Sequence, residues 1–142
     1  MKTTISTLLF SLLFISNAAF ARNDSYMVPL QPVMDQIAKQ GGAVRFYFMK
    51  QATPEVAQKL TTFTVSRNGA LRADQSETCQ RLAGLVIDQM RERAVNEGAD
   101  GVVNIRSTYI KGTEVGTETE FECRMGNARV AIQFSGDLVK FK

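Results

Sequence analysis

Apolar and polar residues alternate along most of this chain, and in two stretches the spacing lengthens to the three-to-four step of a helix. The stronger stretch carries Cys79, Leu82, Ala83, Val86, Met90 and Ala94 on one stripe, with Arg81, Asp88, Arg91 and Glu92 opposite. Asp74 is placed to cap its N-terminus, Glu77 completes a capping box three residues later, and Gly98 ends it. The shorter stretch, Pro32 to Lys39, has proline near its first turn and stops at Gly41-Gly42. Leu85 and Ile87 fall at the edges of the main stripe and are the candidates for an exposed subunit contact.

The alternating stretches predict strands. Val44 to Met49 sets Val44, Phe46 and Phe48 on one face, so the run Phe46-Tyr47-Phe48 reads as core packing with Tyr47 alone free. Gln51 to Lys59, with Pro54, reads as a polar connection. Thr61 to Arg67 alternates through Phe63 and Val65 and ends at the turn signal Asn68-Gly69. Gly101 to Ile110 places Val103, Ile105 and Tyr109 together. Thr117 to Met125 sets Thr119, Phe121, Cys123 and Met125 against Glu118, Glu120 and Glu122. Ala128, Val130, Ile132 and Phe134 continue the apolar face after a two-residue turn at Gly126-Asn127. Ser135-Gly136 bends a last strand that ends at Val139 and Phe141. Matching apolar faces across a hairpin needs an odd loop, so a five-residue loop from Lys111 to Val115 would pair Ile105 with Phe121 and Arg106 with Glu120. The expectation is an α+β fold over residues 22–142: one main helix on an antiparallel sheet of about five strands, plus a short N-terminal helix.

The first residues have a different character. Lys2, the apolar run Ile5 to Ile15 and the small-x-small site Ala19-Phe20-Ala21 read as a secretory signal peptide over 1–21, cleaved after Ala21. No cysteine follows the run to take a lipid, and no later segment reaches the ~18 apolar residues of a membrane anchor. Periplasmic or secreted localisation follows. Whether residues 22–30 are ordered is left open by their polar, extended pattern. The charge of +3 on 142 residues comes without a basic run, which argues against a nucleic-acid partner.

In an oxidising compartment, the two cysteines of the chain are expected to pair. Cys79 lies on the inner stripe of the helix and Cys123 on the inner face of its strand, so a bridge would pin helix to sheet. Absence of histidine removes Ser-His and Cys-His nucleophiles and the commonest metal ligand. Glu118, Glu120 and Glu122 stand about 7 Å apart along a strand, too far for three to hold one ion. They read as a solvated face with Arg106 and Arg124 as counter-charges. Gly98-Ala99-Asp100-Gly101 follows a helix C-terminus, the wrong polarity for a phosphate site. No catalytic, cofactor or metal residues are expected.

The segment Glu97-Gly98-Ala99-Asp100-Gly101-Val102-Val103-Asn104-Ile105, between a helix opened by Cys79 and a strand carrying Cys123, resembles the "GANAVV" signature of YbjQ-like and RcsF-like domains. It is most similar to small exported bacterial proteins often mislabelled excinuclease ATPase subunits. The resemblance implies a helix on an antiparallel sheet and Cys79 and Cys123 as its cysteine pattern. RcsF-like proteins report envelope stress through partner proteins, and YbjQ-like proteins form rings. The implied role is a non-enzymatic, stress-related envelope protein whose partner is another envelope protein or itself. A self-assembling homo-oligomer is the second expectation, and a small-molecule binder or hydrolase the third.

Overall fold

A computed structural model describes residues 23–142; the signal-like segment 1–21 lies outside the described residues. The elements run β1 (Asp24–Pro29), α1 (Gln31–Gln40), β2 (Arg45–Phe48), β3 (Val56–Ala70), α2 (Gln75–Asn96), β4 (Gly101–Ser107), β5 (Glu120–Met125) and β6 (Arg129–Phe141). The fold is α+β, as the patterning predicts, with two helices packed on a curled six-stranded sheet. The sheet is mixed, because β2 pairs parallel with β4 while every other pairing is antiparallel. The long crossover from β2 through β3 and α2 to β4 returns the chain in the same direction at this edge.

The helix α2 forms where its caps and stripe predict it. Asp74, in extended backbone, accepts from the Glu77 amide at 2.8 Å. At the other end Gly98 takes φ 69°, its amide bonds Val95, and the Ala99 amide bonds Ala94 at 2.8 Å. Those two bonds are a Schellman stop, which needs a residue tolerant of left-handed backbone at Gly98. All six stripe residues are buried. Ile87 is fully buried too, contrary to its expected exposure, because α1 covers that side of α2. There Gly84 lies so close to α1 that an added Cβ would stand 2.9 Å from the Gln36 side chain. Leu85 stays exposed.

The centre of the sheet is β6. Its whole length pairs with β3 along one edge; the other edge pairs first with β5, at Val130 and Ala131, and then with β4, from Phe134 to Val139. The expected hairpin between β4 and β5 is therefore absent. Between them stands a single bridge, Ser107 with Val115, and Arg106 pairs with Glu114 at 2.8 Å instead of Glu120. The strand β6 takes that edge of β4 and brings Phe134 and Leu138 into the core.

Three further expectations change. Asn68-Gly69 is strand, paired with Ala131 and Val130, so β3 absorbs the turn signal. The turn after β5 centres on Asn127-Ala128, with the Gly126 amide bonded to the Arg129 carbonyl at 2.8 Å. In β4 the inner residues are Val102 and Ile105, with Val103 half-buried. Asn104, at φ 51°, is an extra residue in β4 against both neighbours: β6 steps from Asp137 to Ser135 while β4 steps from Val103 to Arg106. This bulge inverts the strand's facing halfway along.

Inside, Phe134 meets Phe48 and Phe121 edge-on at centroid distances of 5.6 and 5.8 Å. Gly136 lets α2 come down onto the sheet beside them: a Cβ there would lie 2.6 Å from Val102 Cγ1 and 3.1 Å from Met90 Cε. Gly136→Ala should accordingly cost about 1–3 kcal/mol of stability through overpacking, read as a lower midpoint in urea unfolding. An unchanged midpoint would mean that the helix–sheet spacing is not fixed there.

Candidate docking site

The site is built on β3. This strand of 15 residues pairs with β6 and, among the described residues, with nothing on its other edge. Two extra residues disturb it early, between Val56 and Gln58 and between Lys59 and Thr61. From Thr61 to Ala70 the register runs without interruption. Bulges are one way in which proteins blunt an exposed edge. Here they leave a regular stretch of strand with open backbone amides and carbonyls.

A groove runs between that edge and α2. Its floor is Phe63, which is buried, and Val65, which is half-buried; Gln89, Glu92, Arg93 and Asn96 of α2 form the far wall. The cleft measures about 390 Å³. Arg93 lies 5.2 Å over the Phe63 ring and is ion-paired to Glu97 at 2.6 Å, while Arg67 donates to Gln89 at 3.1 Å. An edge strand beside a helix, with apolar floor and polar rim, is the geometry that accepts an extended peptide as an added strand. Within β3 itself the charged residues are Lys59 and Arg67, with no acid.

The polar connection expected from Gln51 to Lys59 shrinks to Gln51–Glu55, since β3 begins at Val56. Gln51 fixes it by accepting from the Phe48 amide and donating to the Glu118 carbonyl, both at 2.8 Å. The loop 111–115 is closed by the Ser107–Val115 bridge, and Tyr109 and Ile110 are exposed just before it.

Cys79 and Cys123 come together at disulfide distance, with sulfur atoms 2.10 Å apart and both residues fully buried between α2 and β5. Phe46 and Phe48 are core, and Tyr47 is half-buried with its ring 6.0 Å from Phe141.

The glutamate row departs from its expected solvation. Glu118 is exposed, but Glu122 is buried under β1. Its Oε1 accepts from Ser25 at 2.7 Å and from Arg124 at 3.1 Å, and its Oε2 from Ser107 at 2.5 Å. The sequence signal for this was Arg124, two residues on and on the same face. What hid it was β1, whose residues 24–29 pair with all of β5, ordering a segment whose order the sequence leaves open.

Among the described residues no three of His, Cys, Asp and Glu gather as a metal site, and no helix is long and apolar enough to cross a membrane. No protein-family model matches the chain, and no curated protein matches it at a significant level. Among solved structures it is similar to a protein of unknown function of the DUF74 family from Pediococcus pentosaceus. The identity is 9%, the match covers 68% of this chain and 98% of the other, and the TM-score is 0.48. Likeness at that level carries neither family nor function to this chain.

Proposed function

We propose that this chain is a non-enzymatic, exported protein of the bacterial cell envelope that binds a partner protein by adding a strand to β3. The free edge of β3, continuous from Thr61 to Ala70 and open to a groove with an apolar floor, carries the reading. The signal-like N-terminus and the buried cysteine pair support export. The resemblance to RcsF-like domains supports a stress-related role.

The test is in-cell photo-cross-linking from Asn96 on the groove wall, followed by mass spectrometry of the adducts. The expected result is a reproducible envelope-protein adduct that Val65→Asp, charging the groove floor, reduces about tenfold or more while the protein still accumulates. Such a loss corresponds to more than about 1.4 kcal/mol of binding. Adducts of the chain with itself would transfer the reading to a homo-oligomer. Absence of any adduct would sink strand addition.

A further inference from the structure

On the opposite face of β3, where its even-numbered residues point, a second cleft opens beside the β5–β6 turn. It measures about 420 Å³ and is lined by Arg124, Arg129, Tyr109, Ser66 and Asn68, with no Asp or Glu in its wall. Elsewhere the chain balances its charges closely, with 17 Lys and Arg against 14 Asp and Glu. Two guanidiniums around one concave, acid-free wall are a local exception.

The two arginines are held differently. Arg124 is fixed: its side chain is 11% exposed, Nη1 bonds Glu122, Nε bonds Asn23 at 3.3 Å, and the guanidinium lies 5.3 Å from the Tyr109 ring centroid. Those bonds leave Nη2 without a partner among the described residues. Arg129 is exposed and steadied by one bond, from Nη2 to Asn68 at 2.6 Å, which leaves Nε and Nη1 open. Glu122 neutralises Arg124, so the positive charge the cleft offers a ligand is that of Arg129. Around it stand the Ser66 hydroxyl, the Asn68 amide and the Tyr109 ring.

We infer that this cleft binds a small oxyanion, a phosphoryl or carboxylate group. A guanidinium presents a planar fork that matches either group through two parallel hydrogen bonds. Arg129 meets the ligand from the β5–β6 turn side, and Arg124 receives it from a position already set by Glu122, Asn23 and Tyr109. The preset arginine costs little ordering on binding. This site is independent of the β3–α2 groove, since Ser66 and Asn68 face away from Phe63 and Val65.

The experiment is a titration of the mature ¹⁵N-labelled protein with inorganic phosphate at constant ionic strength. Acetate is run as a second arm, chloride as the control, and vesicles with and without anionic phospholipid as a third arm. Saturable shifts of the Ser66, Asn68, Arg124 and Gly126 amides are expected, absent with chloride and weakened about tenfold by Arg129→Gln. Because Arg129 is exposed, that variant leaves the fold intact, which the unperturbed amides of α2 will report. Saturation by phosphate alone identifies a phosphoryl ligand, and saturation by acetate as well identifies a general oxyanion site. Binding to anionic vesicles that Arg129→Gln abolishes identifies a lipid headgroup. Linear shifts in every arm, or equal affinity in Arg129→Gln, overturn the inference.

Discussion

Replacing both Cys79 and Cys123 by alanine is expected to lower the unfolding free energy by at least about 4 kcal/mol, the chain-entropy value for a closed loop of about 45 residues. The pair is separated by 44 positions and joins the second turn of α2 to the middle of β5, with no exposure at either end. Two losses therefore add. The unfolded chain regains the freedom of the loop, and the core loses two sulfur atoms from a site with no solvent to refill it. The measurement is urea unfolding of wild type, oxidised and reduced, beside the double variant. Thiol alkylation that requires prior reduction and unfolding establishes the bond directly. A double variant as stable as oxidised wild type would show that packing alone seats α2 on β5.

Glu122→Ala is the second large effect, expected at about 3–5 kcal/mol, the range for removing one partner from a buried ion pair. The Arg124 side chain is 11% exposed and the Glu122 side chain 4% exposed, so the arginine keeps its charge and loses its counter-charge with only its cleft-facing edge open to solvent. Ser25 and Ser107 lose their acceptor in the same step. Glu118→Ala, on an exposed residue of the same row, should stay within about 0.5 kcal/mol. Hydrogen exchange adds a local readout. In Glu122→Ala the amides of β1 should lose protection before those of β6, because Ser25 ties β1 to the carboxylate. Equal stability of the two glutamate variants would mean that Arg124 escapes to solvent and that the network holds nothing together.

The parts of the fold that could be read from the sequence are those fixed by local chemistry. Asp74, the six-residue stripe and Gly98 specify α2 without help from the rest of the chain. Phe46 and Phe48 likewise face inward because alternation in a short strand leaves them one core to enter. What stayed hidden was pairing. Nothing within residues 101–125 reveals that β4 will choose β6 over β5, since that choice depends on how Phe134 and Leu138 fill the core. Asn68-Gly69 has turn chemistry, yet β6 supplies partners for both residues and keeps them extended. The positive φ of Asn104 inverts β4 through a single residue whose side chain gives no period to detect. The docking site was legible to the same extent. Phe63 and Val65 were seen as an apolar face, but the free edge beside them exists because of a strand order that local patterns do not encode.

The place of β6 at the centre of the sheet sets an order of events. Its partners β3, β4 and β5 all precede it along the chain, and Val56, at the start of β3, waits for Phe141. Until β6 emerges, β3, β4 and β5 have no common partner and the sheet exists as disconnected pieces, so contacts distant in sequence must form late and together. Under the proposed export, that delay would keep the polypeptide slack until its last strand has crossed.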